Sequence, residues 1–136
     1  MLAGGKVASV SPCERRLRLP RSERLRRRVE FQRAYEHGIR ASGRFMVVFA
    51  WTRAEGGPTG RRLGVTASRR IGNAVVRARA KRRLRELYRL DPGGFAGRDV
   101  DVVINARRGC GDAPWGELQR DYRRCVERLT ERLAGA

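Results

Sequence analysis

The sequence RLGVTASRRIGNAVVRARAKRRLRE occupies residues 62–86 and holds the most regular patterns in the chain. Its first part, residues 62–68, alternates apolar with polar or small side chains, as a half-buried strand does. From Asn73 to Leu90 the apolar residues recur at helical spacing. The sequence therefore predicts a strand that leads into a long helix.

This predicted helix has two different faces. One stripe is apolar and is expected to pack against the rest of the protein; it consists of Val76, Ala80, Leu84 and Leu87. The opposite side is basic and consists of Arg77, Lys81, Arg82, Arg85 and Arg89. The apolar face is thus predicted to pack against the protein, and the basic face is free to bind a partner.

The charge of the chain is concentrated around this helix. The whole chain has 32 Lys plus Arg against 14 Asp plus Glu, a net charge of +18 and a pI near 11.6. Residues 61–90 carry eleven basic residues against one acid, Glu86. Such clustering is typical of phosphate binding, because each neutralised phosphate releases counterions. A solvated helix face is the alternative, but such a face usually mixes its charges.

The segments before residue 62 predict a helix and a strand. Apolar spacing indicates a helix from Val29 to His37, which Gly38 is expected to end in a left-handed conformation. Residues 44–52 are β-branched and aromatic and predict a strand. A turn-rich loop follows, so we expect this strand to pair antiparallel with the strand at 62–68.

The segments after the long helix complete a single α+β domain. Residues 100–106 predict a third strand, reached by a crossover from the second, and residues 114–133 predict a last helix. Residues 1–20 lack apolar periodicity and are expected to form a flexible basic arm. The domain is therefore expected to span residues 21–136.

Composition argues against several classes of protein. The longest apolar run, residues 45–51, is far shorter than the roughly 20 residues of a membrane span. The three cysteines are widely spaced, His37 is the single histidine, and no secretory signal is visible, so a cytoplasmic protein without a metal site is expected. Asp99 and Asp101 match a common surface pattern of strands, and we assign them no function.

The order of short motifs in residues 62–86 resembles the signature of the protein subunit of bacterial ribonuclease P. The family pattern is a strand ending in Ser-Lys-Lys, then Gly-Asn-Ala-Val, Arg-Asn-Arg, Lys-Arg and Arg-Glu. This chain has Ser68-Arg-Arg, Gly72-Asn-Ala-Val, Arg77-Ala-Arg, Lys81-Arg and Arg85-Glu. The resemblance covers residues 21–133.

Two departures from the family pattern concern RNA contacts. Ala78 stands where the family has asparagine, so any contact made by that amide is lost. Arg69 and Arg70 replace lysines, which keeps the charge and changes the geometry of phosphate contact.

The resemblance implies a protein cofactor of an endoribonuclease in which a large RNA with bound magnesium carries the chemistry. The protein would have no catalytic residue and bind no metal itself. It would bind the catalytic RNA, one protein per RNA, through Arg69, Arg70, Arg77, Arg79, Lys81, Arg82 and Arg85. It would hold the 5′ leader of precursor tRNA in a cleft lined by Phe31, Tyr35, Val47, Phe49, Thr66, Ser68 and Arg70.

The resemblance also implies the fold, a mixed sheet packed with about three helices as in the second domain of ribosomal protein S5. A rare left-handed β-α-β crossover is a feature of the family, although general statistics favour a right-handed one. Two other functions stay open. One is a ribosomal or other architectural RNA-binding protein; the other is a protein-only nuclease, for which a cluster of acids is lacking. Without the family, Phe31 and Tyr35 would more often be core residues than stacking platforms.

Overall fold

The computed structural model describes residues 21–54, 57, 59–95 and 97–135 of the chain. The helices are α1 at Arg28–His37, α2 at Ala74–Arg89 and α3 at Trp115–Gly135. The strands are β1 at Ile39–Ser42, β2 at Met46–Thr52, β3 at Arg62–Thr66 and β4 at Val100–Ala106. Single turns of 3-10 helix lie at Arg21–Glu23 and Arg69–Ile71. Every predicted element is confirmed to within two residues at each end, and the predicted arm at 1–20 lies outside the described residues.

The four strands form one mixed sheet in the order β1-β2-β4-β3. β2 pairs antiparallel with β1 and with β4, whereas β3 pairs parallel with β4 after the α2 crossover. The predicted antiparallel pairing of β2 with β3 is therefore wrong, because β4 lies between them. The connection at residues 53–61 is longer than the two- to five-residue turns that join adjacent antiparallel strands. β4 takes the centre because residues 100–104 are all buried.

The two faces of the sheet pack against different helices. The larger core lies between the sheet and helices α2 and α3; its buried helical residues are Ala80, Leu84, Leu87, Tyr88, Leu118, Tyr122, Cys125, Val126 and Leu129. The smaller core lies under α1 and contains Leu25, Ala34 and Val103. Tyr88 joins the predicted stripe of α2, while Val76 is only half-buried. The sheet thus has one fully covered face and one face that a single short helix covers.

The end of α1 differs from the prediction. Gly38 has φ −81°, so it is extended rather than left-handed. A Cβ at this position would lie 2.5 Å from the Ala34 carbonyl oxygen and 2.8 Å from that of Ala50. Glycine is needed because the chain passes close to both carbonyls as it enters β1. That four-residue edge strand is too short and too polar for the sequence to reveal it.

Candidate nucleic-acid interface

The side chains on the α1-covered face form rows across the sheet. The middle row joins Phe49 of β2, Val103 of β4 and Gly64 of β3. The next row joins Val47, Asn105 and Thr66, which pair in register in the same way. Helix α1 packs over the middle row, and Val47, Asn105 and Thr66 remain half-buried. This outer row is the open part of the face.

Two aromatic side chains border the open row. The rings of Tyr35 and Phe49 meet edge to face, with centroids 4.9 Å apart and planes at 75°. The Tyr35 hydroxyl donates to Asn105 Oδ1 at 3.0 Å, and the Thr66 hydroxyl donates to the same oxygen at 2.6 Å. Tyr35 is 38% exposed although it is aromatic. These side chains, Tyr35, Val47, Phe49, Thr66 and Asn105, are called the cleft below.

Ser68 and Arg70 continue the line of the cleft beyond the end of β3. Both are exposed, and the 3-10 turn at 69–71 carries Arg70. Because β3 and β4 are parallel, the residues after both strands lie at the same end of the sheet. Arg108, which follows β4, donates to the Arg70 carbonyl at 3.4 Å. Both predicted residues therefore lie at the end of the sheet that carries Thr66 and Asn105.

Phe31 lies apart from the open row. It packs on Gly64, where a Cβ would come within 2.5 Å of Phe31 Cζ, so only glycine leaves room for this ring. The ring also borders a cavity of about 100 Å³ with Arg24 and Arg85. Phe31 thus belongs partly to the packing under α1.

Asn105 is a cleft residue that the sequence reasoning missed. Its Oδ1 receives the hydroxyls of both Tyr35 and Thr66 and so fixes their positions. The signal was available, because Asp101, Val103 and Asn105 alternate along β4 and must share one face. A polar residue at the open end of an apolar strand marks such a position.

The basic residues of α2 divide between two flanks. Asn73 caps the helix, its side-chain oxygen accepting from the Val76 amide at 3.0 Å. Arg77, Lys81 and Arg85 follow one another at four-residue spacing and are half-buried. Desolvation, followed by the charge of Arg24, lowers the pKa of Arg85. Arg85 lines the small cavity beside Phe31, so this row runs along the β3 edge.

The remaining predicted RNA-binding residues are more exposed. Arg82 is exposed on the outer side of α2, and Arg69 and Arg70 are exposed in the 3-10 turn. Arg79 lies on the other flank, where its guanidinium pairs with Asp112 at 3.0 Å. The structure therefore brings six of the seven residues to the β3 side or the outer surface of α2 and directs Arg79 away from them.

Two arginines of residues 61–90 stabilise the fold through hydrogen bonds to backbone carbonyls. Arg61 donates to the carbonyls of Tyr88, Asp91 and Gly94, and its guanidinium lies 4.0 Å from the centre of the Tyr88 ring. Arg83 donates to the carbonyls of Cys110 and Ala113. These two cations hold the end of α2 and the segment before α3 in place. The number of basic residues counted from the sequence therefore overstates the number available to RNA.

A buried ionic network holds the opposite end of the same sheet face. Arg62 Nε and Nη2 donate to the two carboxylate oxygens of Asp101 at 3.0 and 3.1 Å, and Arg53 also pairs with Asp101. Arg62 reaches Glu30 of α1 at 3.1 Å. Burial acts to raise the pKa of Glu30, but hydrogen bonds from the Arg27 and Arg26 amides and the charge of Arg62 outweigh it, so the pKa lies below its ordinary value. Asp101 is 1% exposed, so the surface position that the sequence pattern indicates for it is wrong.

In residues 21–54, 57, 59–95 and 97–135, no three His, Cys, Asp or Glu side chains form a group that could hold a metal ion. Within those same ranges, no helix is both long and apolar enough to cross a membrane.

Comparison with known proteins gives a consistent result. The family model of ribonuclease P matches residues 19–130. The ribonuclease P protein component of Desulfovibrio desulfuricans is 38% identical over 124 residues, covering 90% of this chain and 94% of that protein. The protein component of Kocuria rhizophila is 38% identical over 120 residues, covering 85% of this chain and 99% of that protein.

Solved structures agree with these relatives. The RNase P protein of Staphylococcus aureus superposes with a TM-score of 0.67 at 27% identity, covering 77% of this chain and 93% of that one. The RNase P protein of Thermotoga maritima has the same fold, with a TM-score of 0.67 at 24% identity, covering 79% of this chain and 97% of that one.

Proposed function

The chain belongs to the bacterial ribonuclease P protein family, and from that membership we propose how its surface is divided between two RNAs. It is the protein subunit of an endoribonuclease of tRNA processing, in which the RNA subunit carries the chemistry. The basic row of α2 binds the catalytic RNA, and the cleft holds the 5′ leader of precursor tRNA. The protein supplies affinity and position, not the reacting groups.

The charge and exposure of α2 support the first contact. Arg77, Lys81 and Arg85 present three cations along one side of a helix, spaced about 6 Å apart along its axis. Arg82 and the turn at 69–71 extend this basic surface outward. Guanidinium groups pair with phosphate oxygens through two parallel hydrogen bonds, which suits contact with an RNA backbone.

The observation that carries the second contact is the exposed Tyr35 ring against Phe49 beside a polar, half-buried row. Single-stranded nucleic acid binds by stacking its bases on aromatic side chains while cations contact its backbone. Tyr35 and Phe49 offer the apolar surface, and Thr66 offers a hydroxyl. Arg70, exposed in the turn that follows β3, offers a cation for a leader phosphate.

Magnesium belongs with the RNA in this proposal. The buried acids of the described residues are already engaged, Asp101 by arginines and Asp121 by the backbone amides of Arg44 and Phe45. The ion would be bound mainly by the catalytic RNA, where it supplies the charge stabilisation that phosphodiester cleavage needs. We propose one protein per catalytic RNA and a cytoplasmic location.

A reconstitution experiment tests the proposal. Precursor tRNA is incubated with the protein alone, with the catalytic RNA alone at low magnesium, and with both. We expect cleavage in the third mixture only, since the protein has affinity and the RNA has chemistry. Cleavage by protein treated with nuclease to remove RNA would support a protein-only nuclease, and binding without any gain in cleavage would support an architectural role.

The α2 contact has its own test. Replacing Arg77 and Lys81 by Ala removes two cations from the row, and the slope of log affinity for the catalytic RNA against log salt should become shallower by up to about 2. Replacing Arg120 and Arg123 of α3 removes the same charge elsewhere and serves as the control. If both double variants behave alike, general charge rather than the α2 row attracts the RNA.

A further inference from the structure

The polar surface of α3 is divided lengthwise by charge. Arg124, Arg128 and Arg132 recur at four-residue spacing on the flank that faces the β1–β2 hairpin. The other flank is mixed in charge, because it carries Arg123 beside Glu127 and Glu131, and it borders a groove near the end of α2. The excess of positive charge on α3 therefore lies on the side of the hairpin.

The hairpin adds two more arginines to the basic flank. Arg132 Nη1 donates to the Arg40 carbonyl at 3.1 Å, which joins the end of this row to β1. Arg44 meets Arg124 and Arg128 around a notch of about 220 Å³. The five residues Arg40, Arg44, Arg124, Arg128 and Arg132 are called the α3 flank.

The notch has a fixed shape. Asp121 at its base accepts hydrogen bonds from the amides of Arg44 at 2.9 Å and Phe45 at 2.8 Å. A Cβ at Gly43 would lie 2.6 Å from either Asp121 carboxylate oxygen, so glycine lets the turn close onto α3. The backbone positions from which these arginines extend are therefore set by the fold.

The acids near the flank leave a net positive charge. Glu117 pairs with Arg44 at 3.6 Å, and Asp121 lies 3.6 Å from Arg124. Arg128 has no ion-pair partner in the part of the chain that the structure describes. Two acids against five arginines leave about three cations for a ligand, and a polyanion is the ligand that such a surface suits.

The α3 flank is continuous with the cleft across the edge of the sheet. Arg40 pairs directly with Phe49 in the antiparallel register, so both side chains lie on the face that carries the cleft. β1 is the edge strand, and α3 packs against it from the opposite face. The open row of the cleft continues onto β1 at Ser42, which pairs with Val47, and Arg40 lies two residues away on the same face. An extended chain that leaves the cleft over β1 would pass Ser42 and Arg40 and meet the α3 arginines next.

We propose that the α3 flank binds the distal part of the precursor tRNA leader, upstream of the nucleotides in the cleft. This rests on the proposed function, which puts the catalytic RNA at α2 on the β3 side. The leader is joined to the tRNA body at the site that the catalytic RNA cleaves, so its proximal end enters from the β3 side. Its distal end then leaves over β1, where the flank contacts its phosphates.

The test uses the holoenzyme and two precursor tRNAs, with leaders of about five and about fifteen nucleotides, which bracket the length that one such surface covers. In the variant Arg124→Ala/Arg128→Ala, the long leader should lose its affinity advantage over the short one. For two phosphate contacts to a single strand, the slope of log affinity against log salt for the long leader should become shallower by about 1.4. Between 50 and 200 mM salt, the loss of affinity should therefore be about sevenfold smaller for the variant than for the wild-type protein.

Arg120→Ala/Arg123→Ala removes the same charge from the same helix and should leave both leaders unchanged. In the flank variant Arg124→Ala/Arg128→Ala, affinity for the short leader, for mature tRNA and for the catalytic RNA should stay the same. Arg128→Ala alone, which breaks no ion pair, should give part of the effect with unchanged thermal unfolding. This result would exclude a folding defect as the cause.

Three results would overturn the proposal. The first is an unchanged long-leader affinity, the second is an equal effect of the control variant, and the third is a loss of catalytic-RNA affinity, which would put that RNA on the flank. Tyr35→Ala, measured with the short leader, distinguishes failure of the cleft proposal from failure of the flank proposal. If that variant lowers short-leader affinity while the flank variant changes nothing, only the flank proposal fails.

Discussion

Strands β3 and β4 carry two polar pairs on the same face of the sheet, and the protein uses them differently. Arg62 and Asp101 pair in register at one end, and Thr66 and Asn105 pair four residues further along each strand. Asp101 is 1% exposed and bonded to two arginines, whereas Asn105 is half-buried and bonded to two hydroxyls. Because the backbone geometry of the two pairs is the same, the difference comes from how deeply each pair is buried.

Helix α1 accounts for this difference in covering. Glu30 in its first turn reaches Arg62, and its later residue Tyr35 reaches Asn105. The charged end is largely buried, and its Asp101 carboxylate is paired with two arginines, so it fixes where α1 lies. The neutral end is partly open, so its aromatic and hydroxyl groups remain accessible. A rigid anchor at one end thus positions a binding surface at the other.

The largest expected effect is at the anchor. Asp101→Asn removes the buried carboxylate that Arg53 and Arg62 share, and we expect a loss of about 3 to 5 kcal/mol in the free energy of unfolding. Asn105→Ala at the open end removes neutral hydrogen bonds and should cost about 0.5 to 1.5 kcal/mol. Urea unfolding of both variants measures the contrast. Similar losses would mean that the two ends are equally structural.

A smaller effect is expected between the two ends, in the middle row. Gly64→Ala places a Cβ against the Phe31 ring, and overpacking of this kind costs about 1 to 3 kcal/mol. In the double variant Gly64→Ala/Phe31→Leu the smaller side chain should relieve the clash, so the two losses should not add. Thermal unfolding of the single and double variants decides, and additive losses would contradict this close approach.

The smallest effect concerns the pH dependence of the anchor. The folded pKa of Glu30 lies below its ordinary value of 4.5, so its contribution to stability is present above that pH and is lost as the pH falls through the folded pKa. Glu30→Gln should therefore flatten the decline of stability in acid below about pH 4.5. Unfolding midpoints measured over that range test this. An equally steep decline in both proteins would mean that other carboxylates account for it.

Local patterns were sufficient to predict the elements of this fold. The alternation in residues 62–68 and the apolar stripe of α2 each depend on a few neighbouring residues, and both are confirmed. The position of β4 between β2 and β3 depends on residues far apart in the chain, and no short pattern contains it. Similarly, the four-residue β1 has too few side chains to show a period.

The candidate site was predictable to the extent that the resemblance to the family implies its residues. Val47, Phe49 and Thr66 were predicted as cleft residues, and the structure brings them together with Tyr35. The role of Asp101 could not be predicted, because its arginine partners come from two other segments. Arg79 shows the same limit, since its partner Asp112 follows β4.

The central claim is that Tyr35 and Phe49 form a stacking surface for the leader. The most direct measurement compares the affinities of the holoenzyme for precursor and mature tRNA, with wild-type protein and with Tyr35→Ala, beside thermal unfolding of each protein. We predict a loss of about 1 to 3 kcal/mol for each unstacked base with precursor tRNA, and almost none with mature tRNA. A variant that is unstable and equally weak for both tRNAs would contradict the account and make Tyr35 a core residue.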